Sequence, residues 1–424
     1  MAENKFLNHI KKYIVTYMFL ALSLFFVIFM KMPMDSVCRD LVKRLSRNSF
    51  IVLSLIIPIV AGMGINFAIT IGAMAAQIGL LLAINWNITG WQGILVAAAI
   101  TLPLGALFGF LVGKLLNKMK GQETIGSMIL GYFANGAYQL LFLYIFGNII
   151  PLSEKVTIIG ASGVKNTLDL TTNGLAMAID SIWRMPLLTC VYILCGLLAA
   201  ASAVLFLLKK LNKKTFIKLF AIAAAVAVIF CLPFVADVFN GARSEEITIP
   251  VVTWILILLL CGFNALIMKT RLGQKFRSVG QSRTVANASG INVDRTRLIA
   301  IMISTVLAGW GQLLFMQSDG MGTLATYSAH EQVGLYAGAA ILVGGASIDR
   351  ATNAQALLGT FLFHFMFLTT QKAASGLFGD AVIGEYFRAF LSYAVIAVAL
   401  VMYSWKGSRK RQPRNAIRNA GPKA

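Results

Sequence analysis

Long apolar runs alternate along the chain with short polar, mostly basic connections, and the lengths of those runs set the first expectation. A helix needs roughly 20 apolar residues to cross the hydrocarbon core of a bilayer. Twelve segments are candidates, at about 13–30, 51–66, 70–86, 93–113, 124–147, 186–208, 217–236, 250–268, 298–316, 333–346, 353–370 and 386–405. Those at 51–66 and 333–346 are short for a crossing. The pattern predicts an all-α, polytopic membrane protein of about 12 transmembrane helices, 10 at the fewest, forming a single domain over residues 1–424. The longest connection, about 148–185, holds Gly, Ser, Thr and Asn with few charges, which suits a short cap or a docking surface.

Composition agrees with a chain solvated by lipid: 58% of residues are hydrophobic and 12% charged. The formal net charge of +21 raises the question of nucleic acid. That partner is set aside, because it needs basic residues interleaved with aromatics on a soluble face, and here they sit in short loops. Their placement instead orients the chain, since cytoplasmic loops retain Lys and Arg. With the N-terminus inside, the inner segments hold 26 of the 37 basic residues: three in 5–12, three in 114–120, five in 209–218, seven in 269–297, Arg350, and seven in 406–423. Both termini are therefore expected to be cytoplasmic, with 406–424 a basic tail that anchors topology. The start, MAENKFLNHIKKY, leads into an apolar run with no small-residue cleavage site, as a retained first span would.

One outer loop breaks the charge rule. KMPMDSVCRDLVKRLSRNS carries Lys31, Arg39, Lys43, Arg44 and Arg47. Two readings fit: an amphipathic helix on the outer headgroups, leucines and valines down and basic residues up, or a miscounted span before it.

Enzymatic machinery is missing from the pattern, and the chain is not expected to be an enzyme. The nearest approach to a phosphate-binding loop, GFLVGKLL, has the wrong glycine spacing and Leu115 where a hydroxyl belongs. Five cysteines with no CxxC spacing give neither a disulfide framework nor a zinc site, and no metal or cofactor is called for. The carboxylates closest to the spans, Glu123, Asp237, Glu331 and Glu385, stand in loops or at span ends, which weakens a proton-coupled carrier but leaves sodium coupling through carbonyls open. His364, the one histidine inside a span, reads as a relay or, more simply, as a helix–helix hydrogen bond.

Four motifs have a physical meaning. GALFGFLVG sets Gly105, Gly109 and Gly113 on one helix face, a ridge for close packing. GMGINFAITIGAMAAQ, residues 62–77, is glycine-dense and places Asn66 and Thr70 in an apolar region. Either the helix is broken there, as helices lining transport paths are, or the stretch is a tight turn with Asn66 capping the next helix. GQETIGSMILGYFANGAYQ starts with Glu123 at a helix N-terminus and continues with Ser127, Asn135 and Gln139 near one stripe, beside Gly131. AGAAILVGGAS is a short span of small residues ending in Gly344 and Gly345, a packing element. The candidate path residues are Asn66, Thr70, Asn135 and Gln139.

The stretch TRLGQKFRSVGQSRTVANASGINVDRTRLIAIMISTVLAGWGQ, residues 270–312, resembles the permease subunits of bacterial ABC importers that handle ribose, galactose, nucleosides and branched-chain amino acids. The resemblance rests on TRLG at 270–273, Gly280 ten residues before Gly290, SGINV at 289–293, and LAG at 307–309. GINFA at 64–68, ETIGSMILGYF, and the GG-x-S element at Gly344, Gly345 and Ser347 add to it, over about 50–405. The chain departs from the sugar branch at Asn66, Phe67 and Ala68, from the nucleoside branch at Thr70, and carries an additional hairpin at about 186–236.

The resemblance implies an ABC importer permease fold in a bacterial inner membrane. It implies a cytoplasmic ATP-binding subunit, a second permease subunit (the same chain or a homologue) and an extracytoplasmic solute-binding protein. The solute would be a simple sugar or a nucleoside, with a branched-chain amino acid or an ion-coupled secondary carrier as the alternatives. Within the cytoplasmic loop 269–297, residues 280–290 would be the coupling helix on the ATPase, with Gly280, Thr284, Ala286 and Gly290 allowing close approach.

Overall fold

The computed structural model describes residues 14–391 apart from residue 120, scattered positions within 142–172, residues 208–211, 233–236, 238–245, 319–323, 327–329 and 348–349; beyond 391 it describes 393, 394 and 397. The basic tail lies outside the described residues.

Three helices make the centre. α1 (Ile14–Phe29) is followed by α2 (Met34–Ser54), a short α3 (Ile56–Val60), α4 (Ile69–Asn85) and α5 (Gly90–Lys118). After α6 (Glu123–Leu140), α7 (Leu187–Leu207), α8 (Lys213–Cys231) and α9 (Val251–Lys269) come α10 (Arg271–Gln281), α11 (Arg283–Ala288), α12 (Val293–Gln317), α13 (Val333–Val343) and α14 (Asn353–Phe378). α4, α5 and α12 form the tightest group. Helices in lipid gain nothing from the hydrophobic effect on meeting, so their association depends on how close the backbones come. The glycine ridge provides that closeness. A Cβ at Gly105 would stand 3.3 Å from the Cα of Val306, one at Gly109 2.8 Å from that of Met302, and one at Gly113 3.4 Å from that of Leu298. α4 closes the triangle, with Gly72 against the carbonyl of Thr305. Gly344 and Gly359 make the same backbone contact between α13 and α14.

α5, α7, α9 and α12 each contain an apolar stretch long enough to cross a membrane, and α1, α4 and α13 are shorter apolar helices. α7 and α8 form the extra hairpin, packed on each other and rooted on short strands. The predicted spans 124–147 and 386–405 extend into residues outside those described.

The basic loop at 31–49 needs correcting. Residues 34–54 are one helix, continuous with the run predicted to start a span at 51. It is amphipathic, as expected, but it does not lie on a surface: Val37 and Leu41 pack with Val27, Phe365 and Leu368, while Arg47 is only 9% exposed. The protein itself satisfies the polar face. Lys372 ion-pairs with Asp40 at 2.7 Å, and Trp254 Nε1 donates to Ser46 Oγ at 2.9 Å.

The described part of the 148–185 connection is a cap. β1 (Ile159–Gly160) pairs with β2 (Gly163–Val164), β3 (Thr167–Asp169) with β6 (Leu324–Thr326), and β4 (Arg184–Pro186) with β5 (Thr248–Pro250), all antiparallel. Asp180 accepts from Thr253 Oγ1 and from Gln317 Nε2, and Gln317 Oε1 accepts from the Ile179 amide at 3.0 Å. Those bonds fasten the cap to α9 and to the end of α12.

Candidate functional site

Between α3 and α4 the backbone leaves the helix. Residues 63–66 are non-helical, 67–68 form a turn, and every residue from 63 to 70 is buried. Gly62 and Gly64 take φ of +73° and +69°, values that an L-residue with a Cβ adopts only with strain, so the glycines permit the break. Asn66 Oδ1 accepts from the Ala68 amide at 3.1 Å, which turns the chain into α4. The helix is thus interrupted inside the protein, as one expectation for GMGINFAIT had it; the other is not met as stated, because Asn66 makes the turn but the N-cap of α4 is Ala68, with no side-chain cap bond. Asn66 Nδ2 is buried without a hydrogen-bond partner among the described residues.

α6 packs its small face against this break. Ser127 Oγ accepts from the Phe67 amide at 3.0 Å, and a Cβ at Gly131 would lie 3.1 Å from Thr70 Oγ1. From the other side, Cβ atoms at Gly334 and Gly338 of α13 would meet the Phe67 carbonyl at 2.4 Å and the Phe67 ring at 2.8 Å. Asn66 and Thr70 therefore belong to one site between α6 and α13. Asn135, one turn along the α6 stripe, is half-buried, and its Oδ1 has no partner among the described residues. Gln139 is separate: exposed at the end of α6, it donates to Glu331 at 2.9 Å.

The polar stretch 270–292 folds as two helices. Thr270 Oγ1 accepts from the Gly273 amide at the start of α10, and Ser282 Oγ from the Val285 amide at the start of α11, so each is capped by its own sequence. Phe276 and Val279 of α10 are buried. Gly280 lies against α3, where a Cβ would come 2.2 Å from the Val60 carbonyl. Thr284 is exposed, and Val285 is 64% exposed. Ala286 departs from the expectation: at 2% exposure it faces inward and so cannot be presented to a partner. A six-residue helix must seat one face on its own protein, and Ala286 is on that face. Gly290 ends the segment in the open at φ +76°.

This segment is tied to the interrupted helix by bonds that sequence reasoning did not anticipate. Arg283 Nη2 donates to the Gly62 carbonyl at 3.1 Å. Glu123, the first residue of α6, ion-pairs with Arg283 at 2.8 Å and with Arg297 at 2.6 Å. Burial pushes the Glu123 carboxyl up, but backbone amides and the two guanidiniums outweigh it and hold the group, which stands just outside the apolar span, below the ordinary range. Glu123 read from sequence only as a partner for the helix dipole. The seven basic residues near 280 were a signal that one of them needed a carboxylate, yet nothing local says which.

Four helices among the described residues, long and apolar enough to cross a membrane, with an interrupted helix buried inside a glycine-locked bundle, mark a multi-pass membrane protein. The particular family follows from comparison: residues 45–402 match the family described as branched-chain amino acid transport system / permease component, and the chain belongs to it. Among curated proteins it is similar to the autoinducer 2 import system permease protein LsrC of Klebsiella pneumoniae, with 30% identity over 35% of this chain and 41% of that protein. It is 23% identical to the nucleoside ABC transporter permease protein NupB of Lactococcus lactis over 38% of this chain and 41% of that one. The probable branched-chain amino acid permease LivH of Methanocaldococcus jannaschii is 40% identical over 15% of this chain and 21% of its own length. The chain thus matches less than half the length of each of these relatives. No solved structure matches it.

Proposed function

We propose that the protein is the membrane-embedded permease subunit of a bacterial inner-membrane ABC importer, moving a small polar solute of the sugar or nucleoside class by alternating access. Its partners are a cytoplasmic ATP-binding subunit, which hydrolyses ATP, a second permease subunit, and an extracytoplasmic solute-binding protein. The observation that carries this reading is the direct bond between the 280–290 segment and the interrupted helix, Arg283 to the Gly62 carbonyl. A push on α11 reaches the break at 63–68 through that bond, and reaches α6 through Glu123. Asn66 and Thr70, with Asn135 further along α6, supply polar groups at the break. Gln139 stands at the far mouth of that stripe. The relatives named for nucleoside and autoinducer import support the solute class, and the one named for branched-chain amino acids supports an amino acid as the second reading.

Reconstitution tests it. The chain, expressed with candidate ATPase and solute-binding subunits from the same organism, is placed in liposomes and uptake is followed with and without internal ATP. ATP-dependent uptake is expected. Uptake by the chain alone, driven by an ion gradient, would make it a secondary carrier.

A further inference from the structure

The contact that joins the interrupted helix to α10 is open on one side. Beside Val60 and Gly280 lies a cavity of about 560 Å³, walled by α3, α9, α10 and the start of α14. Arg277, Gln281 and Arg350 on its wall are exposed, so it is reached from the end of the molecule that carries α10 and α11. The importer reading makes that face cytoplasmic. Its volume falls among those of small-molecule sites, about 300–1,000 Å³. The charge on its wall has one sign. Arg277 and Arg350 line it with Gln281, Thr352, Asn353 and Asn264, and no carboxylate among the described residues does. Residues 41–60, 251–293 and 350–379, which hold the lining segments, contain no Asp or Glu at all. Glu123, at the same end, is engaged by Arg283 and Arg297, and Asp349 lies outside the described residues.

One residue of the wall lacks a partner that a ligand could supply. Asn264 of α9 is 2% exposed. Its Nδ2 donates to the Leu53 carbonyl at 3.2 Å and to Asn353 Oδ1 at 3.4 Å, which fixes the orientation of the amide. Asn353 is held in turn, its Nδ2 donating to the Cys261 carbonyl at 2.8 Å. Asn264 Oδ1 remains a buried acceptor with no donor among the described residues, which costs free energy until a hydroxyl or N–H meets it. Beside it begins α14, 26 residues long, whose first turn carries the positive pole of the helix. Thr352 Oγ1 already caps the Gln355 amide, so the helix contributes its dipole there rather than that amide. Arg277 is steadied by donating one Nη2 hydrogen bond to the Met268 carbonyl at 2.7 Å, on the same wall.

We propose that this cavity is a regulatory site for a soluble phosphate monoester with a hydroxylated body: Arg277, Arg350 and the start of α14 take the phosphate, and Asn264 Oδ1 takes a hydroxyl. Guanidinium groups suit the first task because they offer planar, paired donors to phosphate oxygens. A bare anion leaves Asn264 unmet, and a neutral solute leaves the guanidiniums unused. Occupation bears on coupling because Val60 and Gly280, where main chain rests on main chain, bound the same cavity. A ligand that bridges α9, α10 and α14 stabilises the arrangement it fits and slows any step that moves α10 against α3. A solute of the sugar or nucleoside class becomes such an ester when a kinase acts on it in the cytoplasm, so the site reports accumulated product and restrains further uptake. The binding site stands on the cavity alone; its restraint of uptake rests on the importer reading.

The test begins with the full chain in phosphatidylcholine nanodiscs and calorimetric titration of ribose 5-phosphate, inorganic phosphate and ribose. The ester is expected to bind saturably, inorganic phosphate more weakly, and ribose not at all. Arg277→Gln and Arg350→Gln, both at exposed positions, should each weaken ester binding by about tenfold or more, the scale of one lost charge-assisted hydrogen bond. Asn264→Leu should reduce the ester to the affinity of inorganic phosphate. Arg295→Gln, exposed in the same basic stretch but outside the cavity, should leave binding unchanged. Absence of ester binding overturns the proposal, and so does equal binding by wild type and both arginine variants, or equal affinity for the ester and inorganic phosphate. If phosphatidylglycerol discs abolish ester binding, and Arg350→Gln releases co-purified phosphatidylglycerol, the cavity holds a lipid headgroup and the proposal falls. In the reconstituted complex, ribose 5-phosphate sealed inside the liposomes with ATP should at least halve uptake, and Arg350→Gln should lose that restraint. Ester binding with uptake unaffected overturns the regulatory role. If no ATP-driven uptake occurs even without the ester, the importer reading is what has failed, and the titrations still decide the site.

Discussion

Gly62 and Gly280 meet backbone to backbone: a Cβ on Gly62 would stand 2.7 Å from the Cα of Gly280, and that glycine's own Cβ would strike the Val60 carbonyl. The contact joins the interrupted helix to α10 with no side chain between them. Gly280→Ala is therefore expected to force the two segments apart, at about 1–3 kcal/mol of stability. Uptake per ATP hydrolysed in the reconstituted complex should fall with it. Gly290→Ala provides the comparison, because nothing lies within 4 Å of that glycine. It should cost only the strain of φ +76°, on the order of 1–2 kcal/mol. Equal uptake ratios in wild type and Gly280→Ala would show that the contact does not transmit motion.

Glu123 ion-pairs with Arg297 at 2.6 Å, the one carboxylate at that distance from it among the described residues, and Arg297 is 1% exposed. Glu123→Gln should destabilise the protein by roughly 3–5 kcal/mol, since it strands a buried guanidinium. Arg283→Gln should cost much less, because that side chain is 34% exposed. The paired change Glu123→Gln with Arg297→Met should recover much of the loss. Thermal unfolding in detergent, read for all three, checks the order.

Thr284 and Val285 are among the residues that α11 leaves outward, with Asn287 and Ala288. Val285→Glu is expected to change the stability of the permease by less than about 0.5 kcal/mol, as surface changes do, yet to reduce the ATPase subunit recovered with it in affinity purification. Ala286→Leu should do the reverse, destabilising the chain because its site is already filled. A stable Ala286→Leu variant with poor ATPase recovery would mean that α11 turns over on binding its partner.

Asn66→Ala removes the acceptor for the Ala68 amide, worth about 1 kcal/mol, so folding should survive. If Asn66 borders the path, transport rate and solute preference should shift together in this variant and again in Asn135→Ala. Unchanged rate and preference in both would leave the two amides with purely structural roles.

What could be read in the sequence was local or repeated. The ridge Gly105, Gly109 and Gly113 is visible because spacing by four defines a helix face without knowledge of the partner, and the structure sets α12 on that face. The break at 62–68 is visible because glycine density and an asparagine signal it within one turn. The placement of residues 34–54 is not legible because a charge rule counts Lys and Arg without knowing what faces them. Arg44 and Arg47 are accommodated by Gln371, Phe367 and Phe315, more than 260 residues away in the chain. The pairing of Glu123 with Arg297, 174 residues apart, is illegible for the same reason. Ala286 shows a further limit, since a single helical turn has too few residues for its pattern to say which side faces home.

The close contacts of Gly72, Gly109 and Gly309 have a consequence for motion. Two helices separated by side chains can slide while those side chains change rotamer, as gears can with some play. Where main chain rests on main chain there is no such slack, and sliding by even an ångström means collision or a void. α4, α5 and α12 must then travel as one block, which leaves the frame of the molecule stationary within itself and concentrates any rearrangement in the few residues, near 61–68, where the chain is not helical.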